Sequence, residues 1–272
     1  MKKETSNLRY VVDEISREHF IQEHYFMHVA KGLVVLNDGN KYLELKPGEC
    51  GIARKNRLGR YYKMKENNEL EKTIFALDAP FLQRFQEKHK PAVTKFRSQE
   101  TFIRIGKNPL IPHYIQSLAP YYDRGQISEA FADVKREELL IILLAEQPEL
   151  SGLLFDYGIP AKIDIEEFMI KNYKFNVSLE RLAFLTGRSL SAFKRDFKQT
   201  FNETPSRWLV QKRLQEAHFL IEKKRQKPSD IYLDLGFETL SHFSFAFKKQ
   251  FRLTPTDLVN RRAGSRTRSV HP

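Results

Sequence analysis

Two stretches near the end of the chain repeat one pattern of residues, and this repeat constrains the fold more than any other feature. A phenylalanine stands at every fourth position in each copy, with lysines between them. The copies are 50 residues apart and place their phenylalanines at Phe193, Phe197 and Phe201 and at Phe243, Phe247 and Phe251. Because residues four apart share one face of a helix, each copy predicts a helix whose phenylalanines are buried.

A glycine precedes each of these helices. Gly187 and Gly236 each follow a short apolar stretch, and a tight turn between two helices favours glycine because it adopts positive φ with little strain. The repeat therefore predicts two helix-turn-helix units, with a long helix beginning at Pro205 between them. The expected cores are Leu182, Leu185, Phe193 and Phe197 in the first unit, and Ile231, Leu235, Phe243 and Phe247 in the second.

The charge of the chain is concentrated in the same half. The net charge is +12, and residues 161–272 carry 22 basic and 12 acidic side chains, whereas residues 1–160 carry 24 and 22. This asymmetry predicts a polyanionic partner for the C-terminal half, with an ordinary soluble basic surface as the alternative.

The face of each second helix opposite the phenylalanines is the candidate contact surface for DNA. Arginine and lysine reach guanine edges or phosphates in the major groove, and serine reaches either. The candidates are Ser191, Ala192, Lys194, Arg195 and Lys198 in the first unit, and Thr239, Leu240, Ser241, His242, Ser244, Phe245, Lys248 and Lys249 in the second.

The first hundred residues show the pattern of short strands. Segments 25–36, 41–45, 50–54 and 70–77 are rich in aromatic and β-branched residues or alternate with period two, and glycine, proline and asparagine separate them. The sequence thus predicts an α+β chain with two domains: an N-terminal antiparallel β-barrel with flanking helices, with a small sandwich as the alternative, and an all-α C-terminal domain. The expected boundaries are 1–108 for the β domain, 109–160 for a helical linker segment, 161–263 for the double unit and 264–272 for a basic disordered tail.

Helical spacing begins after Asn108, over 109–122 and 128–145, with Ser128 as the expected N-cap of the second helix. One side of that helix is broadly apolar, and part of it is expected to pack on the barrel. The rest could pair with a second molecule, so residues 109–147 are a candidate homodimer contact, with core packing as the simpler alternative. The apolar residues on this side are Phe131, Val134, Leu139, Ile142 and Leu143.

Two groups of polar residues in the N-terminal half invite a functional interpretation. His19, His24 and His28 precede or lie in the first strand, but no further histidine follows where a metal-binding barrel would need one, so we expect surface or barrel-mouth residues, with no metal and no cofactor. A basic run is interpreted as a solvated loop, with a site for an anionic effector or partner as the alternative. Its members are Arg54, Lys55, Arg57 and Arg60.

The remaining composition favours a cytoplasmic protein that makes no membrane contact. A single cysteine, Cys50, cannot form an internal disulfide, and the first residues lack the apolar region of a signal peptide. The longest apolar run, 139–145, is too short to span a bilayer.

Residues 163–262 resemble the DNA-binding domain of the AraC/XylS family of bacterial transcription regulators. The family pattern L-S-x-x-x-R-x-F-K is matched at 190–198, and the pattern I-A-x-x-x-G-F-x-x-x-S-x-F-x-R-x-F-K is matched closely from Ile231 to Lys248. The resemblance implies a sequence-specific regulator, expected to be an activator, that binds promoter DNA in adjacent major grooves and contacts RNA polymerase.

Three departures from the family pattern lie in the second unit: Tyr232 replaces the usual alanine, Phe245 the usual arginine and Arg252 the usual glycine. Phe245 could touch a thymine methyl group or simply remain exposed. We therefore expect the first unit to read most of the bases, through Lys194 and Arg195, and the second to hold phosphates through its two lysines.

The N-terminal half loosely resembles the cupin-like sensing domains of many family members. This implies a pocket for a small-molecule effector, a dimerisation module or a docking surface for a regulatory protein. A cupin-type enzyme with a nucleic-acid tether would need a metal triad or a nucleophile motif such as G-x-S-x-G, which the sequence lacks, so no enzymatic activity is expected. A nonspecific architectural DNA binder would favour lysine throughout the contact face, which instead also holds Ser191, His242 and Ser244.

Overall fold

The computed structural model describes residues 19–64, 69–123, 126–127 and 129–266. The chain divides into two compact units, Met1–Ile159 and Pro160–Pro272. The expected N-cap Ser128 lies outside the described residues. A strand-rich N-terminal unit followed by an all-helical C-terminal unit confirms the predicted fold class at this level.

The N-terminal unit contains two antiparallel sheets and two short strand pairs. The strands are β1 Phe20–Ile21, β2 His24–Lys31, β3 Leu33–Asn37, β4 Tyr42–Leu45, β5 Cys50–Ala53, β6 Arg57–Leu58, β7 Arg60–Met64, β8 Glu71–Leu77, β9 Phe102–Arg104, β10 Tyr122–Asp123 and β11 Gln126–Ile127. The larger sheet has the order β8-β2-β5-β9 and the smaller one β4-β3-β7, while β1 pairs with β6 and β10 with β11.

The two sheets share one apolar core but do not close into a barrel. Met27 and Ile74 of the larger sheet belong to the same buried cluster as Val34 and Leu45 of the smaller sheet. Among the described residues no strand pairing joins the two sheets. The predicted strand 25–36 is divided at Gly32, whose φ is +78° and whose Cβ, if present, would meet the Met64 carbonyl oxygen at 2.9 Å. A turn that only glycine fits thus sends the chain from one sheet to the other.

Helices cover the outer face of the larger sheet. They are α1 Ala79–His89, α2 Leu110–Ser117, α3 Glu129–Glu146 and α4 Ser151–Leu154, with 3-10 turns at Ala119–Tyr121 and Pro148–Leu150. Phe26 and Phe75 of the sheet share a buried cluster with Leu82 of α1 and Leu139 of α3. The sequence interpretation missed α1, although Asp78 caps it by accepting from Phe81 N at 3.0 Å and Pro80 stands in its first turn.

A buried arginine ties α3 to the sheet and to α1. Arg136 is 1% exposed and donates to the Ala76 carbonyl oxygen at 3.0 Å and to the Asp78 carboxylate at 2.5 Å. It also pairs with Asp133 and lies 4.2 Å from the centre of the Phe81 ring. On the surface above it, Arg84 pairs with Asp133 at 2.7 Å. One guanidinium therefore holds the end of β8, the start of α1 and the middle of α3 together.

The histidines of β2 are buried, so the prediction of surface or barrel-mouth positions is wrong for His24 and His28, which are 2% and 7% exposed. Both side chains point toward the helical layer, as Phe26 between them does. His19, just before β1, is half-buried. Among the described residues no group of three His, Cys, Asp or Glu side chains has the arrangement of a metal site.

The basic run is not a solvated loop either. Arg54 and Lys55 follow β5, Asn56 has φ +56° in the turn after them, and Arg57 and Arg60 begin strands β6 and β7. Arg54 donates to the Ser98 carbonyl oxygen at 2.7 Å, and Arg60 is 9% exposed. Arg54, Lys55 and Arg57 are half-buried and Arg60 is buried, so the run packs against neighbouring segments of the fold.

His24 predicts an acid-sensitive N-terminal unit. Its pKa is lowered to about 3, first because burial disfavours the charged ring and then because Lys55 and Arg54 lie nearby. Its Nδ1 accepts from Lys55 N at 3.3 Å, which requires the neutral ring. An unfolded histidine titrates near 6.5, so the free energy of unfolding should fall, by on the order of a few kcal/mol, as pH drops from about 6.5 toward 3.

Chemical denaturation at several pH values measures this slope. His24→Phe should flatten it over that range, and the same substitution at the exposed His113 is the control. An unchanged slope in His24→Phe would contradict the assignment.

The C-terminal unit consists of helices. They are α5 Ile165–Asn172, α6 Leu179–Leu185, α7 Leu190–Phe201, α8 Pro205–Glu222, α9 Pro228–Ile231, α10 Leu240–Phe251 and α11 Pro255–Arg266. Helix α11 extends three residues, 264–266, into the segment predicted to be disordered. No helix among the described residues combines the length and the apolar character needed to cross a bilayer.

Candidate nucleic-acid interface

The first helix-turn-helix unit is α6, a turn at Gly187 and α7. Gly187 has φ +66°, and a Cβ there would lie 2.5 Å from Lys162 N, so the turn requires glycine. Ser178 and Ser189 cap the two helices by accepting from Arg181 N and Ala192 N, each at 3.3 Å. These caps and the glycine fix the direction in which α7 leaves the turn.

The second unit follows the same plan with a shorter first helix. Helix α9 has one turn, and the chain then continues through Gly236, with φ +82°, into α10. Thr239 caps α10 by accepting from His242 N at 3.1 Å. At the end of α10, Arg252 has φ +62°, the left-handed conformation that the family glycine adopts freely. The arginine there costs about 1 kcal/mol more than glycine would.

The phenylalanine stripes are core, as the sequence predicts. Phe193 and Phe197 are fully buried with 5.7 Å between their ring centres, and Phe243 and Phe247 repeat that spacing. The two cores are separate clusters, one containing Leu209 and the other the later residues of α8. All eight predicted core residues are at most 7% exposed.

The candidate contact residues lie on the opposite faces of α7 and α10 or at the start of α10. Most are exposed, whereas Ala192 and Ser244 are half-buried. Phe245 is 71% exposed and Leu240 is 41% exposed, so both present apolar surface outward. The Thr239 hydroxyl oxygen is occupied as a cap, which limits it to donating through its proton. The structure therefore brings the candidates together as two exposed helix faces.

Arg195 has an acidic neighbour on the same face. Its guanidinium donates to the Asp196 carboxylate at 3.1 Å, and Arg188 donates to the other oxygen of that carboxylate at 3.1 Å. The hydrogen bond from Arg188 is the main reason that the pKa of Asp196 lies below its ordinary value. Asp196 stays ionised and orients Arg195, which must leave this partner to reach a base.

Lys248 and Lys249 are exposed in the last turn of α10. Cations there also stabilise the helix, because its C-terminal carbonyl groups carry partial negative charge. The geometry thus gives both lysines a role in the fold that is independent of any DNA contact.

The sequence interpretation did not identify two buried arginines of the C-terminal unit, Arg188 and Arg213. Arg188 has 8% side-chain exposure and donates to the carbonyl oxygens of Ile163 and Thr186 as well as to Asp196. Arg213, in the middle of α8, is also 8% exposed. Arg213 lies four residues after Leu209 and four before Ala217, so helical spacing places it on the buried side of α8. The sequence interpretation did not use this spacing because the residue is charged.

Comparisons with known proteins agree with this geometry. Residues 24–153 match the ExsA N-terminal regulatory domain, and residues 182–261 match a helix-turn-helix domain. The chain is similar to the virulence regulon transcriptional activator VirF of Yersinia enterocolitica, with 26% identity over 55% of this chain and 56% of VirF. It therefore spans about half the length of that relative.

Two further proteins are similar over more of the chain. The HTH-type transcriptional regulator ExsA of Pseudomonas aeruginosa is 24% identical over 85% of this chain and 87% of ExsA. A crystal structure of an apo ToxT variant from Vibrio cholerae is 15% identical, with a TM-score of 0.44 over 92% of this chain and 94% of that one.

Proposed function

The chain belongs to the AraC/XylS family of transcriptional regulators, and we propose that it binds promoter DNA sequence-specifically through α7 and α10. The observation that carries this proposal is the two-sided character of both helices. Their phenylalanines fill two cores, and their opposite faces are exposed and hold hydrogen-bond donors and cations. In the proposed complex the helices enter adjacent major grooves on one side of the DNA.

The proposed outcome of binding is activation of transcription through contact with RNA polymerase beside the bound site. VirF is named an activator, which supports this choice. No enzymatic activity, cofactor or membrane contact is proposed, and the protein would act in the cytoplasm, where the promoter is.

Footprinting on the DNA upstream of the chain's own gene and of its neighbours tests the proposal. We expect protection over about two helical turns of DNA at discrete positions. Uniform coating of any DNA at the same protein concentration would instead identify a nonspecific architectural binder.

Arg195→Ala should weaken binding to the specific site by about 1–3 kcal/mol and relax specificity at one base pair. The reason is that a guanidinium released from Asp196 can donate two hydrogen bonds to guanine. Binding assays on the native site and on single-base variants at that position measure both effects.

Lys248→Ala provides the contrast, because a phosphate contact carries no sequence information. It should weaken binding to all sequences alike and reduce the salt dependence of the affinity. If Arg195→Ala behaves in the same way, Arg195 binds phosphate and does not read a base.

The N-terminal unit is proposed to be the cupin-like sensing module that receives a small-molecule effector or a regulatory protein. Its match to a regulatory domain of a family member supports this role. The two facing sheets with a common core are compatible with such a module.

We also propose that α2 and α3 form a contact between two copies of the chain. Apolar side chains remain exposed there: Leu110 is 51% exposed, Val134 59% and Ile141 48%. All three line a groove of about 620 Å³ between the helices. Burial of such a surface in a homodimer would remove it from water.

Val134→Glu should then shift the sedimentation coefficient toward that of a monomer at micromolar concentration, because a buried carboxylate opposes association. Phe219→Glu, at a 47% exposed position on α8, is the matched control. An unchanged oligomeric state for Val134→Glu would rule out this contact.

A further inference from the structure

We propose that Arg213 fixes the relative position of α7 and α10, and thereby sets the spacing between the two DNA segments that the chain binds at once. This inference rests on the proposed DNA binding. It adds a positioning residue that touches no DNA and lies between the two helix-turn-helix units.

One guanidinium joins the two halves of the C-terminal unit. Two acceptors belong to the first half: Arg213 Nε donates to the Tyr173 carbonyl oxygen at 2.7 Å, and Nη2 donates to the Phe175 carbonyl oxygen at 2.8 Å. The third acceptor belongs to the second half, where Nη1 donates to the Gly236 carbonyl oxygen at 2.9 Å. The first two acceptors lie between α5 and α6, and the third lies in the turn that leads to α10.

Two side-chain contacts reinforce this junction. Lys174 Nζ pairs with Glu216 Oε1 of α8 at 2.8 Å, and Asn176 Nδ2 donates to Glu238 Oε1 at 3.2 Å. The fit is close, because a Cβ at Gly236 would lie 2.7 Å from the Lys174 carbonyl oxygen. The turn of the second unit therefore rests directly against the first half of the domain.

Helix α8 belongs to both cores, and Arg213 lies on it at the point where one core gives way to the other. Its first part packs in the core of the first unit through Leu209, and its later part packs in the second core through Leu214 and Ala217. Arg213 stands between these two clusters. A planar guanidinium holds three acceptors at fixed directions, whereas a lysine ammonium is a compact group on a flexible stem.

The chemistry of the site points to positioning more than to stability. Burying a charged side chain costs free energy, and well-packed apolar residues are often equally stable in such places. The Arg213 guanidinium donates hydrogen bonds to backbone carbonyl groups of two segments that are far apart in the sequence. Binding of two adjacent major grooves requires a fixed displacement between α7 and α10, which this bridge supplies.

The test is the dependence of binding on half-site spacing, measured with the full chain on the footprinted site. One set of DNA fragments has one base pair inserted or deleted between the half-sites, and another has one half-site scrambled. Each added base pair rotates one half-site relative to the other and displaces it along the axis. The wild type should lose about tenfold or more in affinity on either altered spacing, because both helices can no longer bind together.

Arg213→Lys should bind the native site about tenfold more weakly and lose most of its preference for native spacing. Its affinity for a fragment with one intact half-site should stay within about twofold of the wild type, because each unit keeps its own core. Arg207→Lys, on the same helix with 70% side-chain exposure, is the matched control and should keep the wild-type spacing profile.

Two outcomes would overturn the proposal: an unchanged spacing profile in Arg213→Lys, or an equal loss on single half-sites, which would make Arg213 a stability residue. If Arg213→Lys fails to fold, Glu238→Ala is tested in its place, because it removes the hydrogen bond from Asn176. Glu238→Ala should then bind sites with altered half-site spacing better, relative to the native site, than the wild type does. A wild-type spacing profile in Glu238→Ala would then refute the proposal. Failure of the proposed function itself is distinct, since the wild type would then not prefer the footprinted site over random DNA.

Discussion

Arg136→Leu should lower the free energy of unfolding of the N-terminal unit by about 3–5 kcal/mol. The substitution leaves the Asp78 carboxylate buried without its cation and removes the donor from the Ala76 carbonyl oxygen. Urea denaturation followed by far-UV circular dichroism measures the loss. Fluorescence of the single tryptophan, Trp208, follows the C-terminal unit and shows which transition has moved.

The matched control is Arg84→Leu, which removes the exposed partner of the same Asp133. The Arg84 side chain is 57% exposed, so solvent screens its pair and the expected loss is below about 1 kcal/mol. Equal losses in the two variants would show that the buried contacts of Arg136 stabilise the unit no more than the exposed Arg84 pair does. A neutral Arg136→Leu would show that leucine replaces the network without cost.

Phe243→Ala should lower the free energy of unfolding of the C-terminal unit by about 3–5 kcal/mol, because its fully buried ring leaves a cavity in the second core. Phe245→Ala, two residues later, removes a ring that is 71% exposed and should change stability by less than about 0.5 kcal/mol. Denaturation of both variants under one set of conditions gives the comparison.

A DNA-binding assay gives a second test of Phe245. If Phe245 contacts a thymine methyl group, Phe245→Ala weakens binding to native DNA but not to DNA in which uracil replaces that thymine. Equal effects on both DNAs would show that Phe245 is an exposed side chain without a base contact. A large loss of stability in Phe245→Ala would contradict its assignment to the outer face of α10.

The sequence predicted the C-terminal unit well because its signals are local. Phenylalanines four residues apart, glycines at the turns, and capping residues such as Ser178 act within one helix or one turn. Their burial and conformations in the structure match those expectations. The N-terminal unit depends on pairings between distant strands, and its sheet order had no such local signal.

Charge was the main source of wrong expectations. Arg60 and His24 were expected to be exposed because polar residues usually are, and Arg213 was passed over for the same reason. His24 and Arg213 are buried with hydrogen-bond partners that lie far away in the sequence. Arg60 is buried in a strand. Only the folded arrangement reveals such partners. The same limit applies to the contact residues of α7 and α10, whose faces follow from periodicity but whose base contacts do not.

The carboxylate of Asp196 has a consequence for how the protein would search a genome. On DNA of the wrong sequence, Arg195 gains only a phosphate and must give up a partner 3.1 Å away, while Asp196 itself repels the backbone. The first unit should therefore adhere weakly to random DNA, so that fewer molecules are sequestered along the chromosome. Asp196→Asn should lengthen the residence time on random DNA in single-molecule tracking, with a smaller change at the specific site.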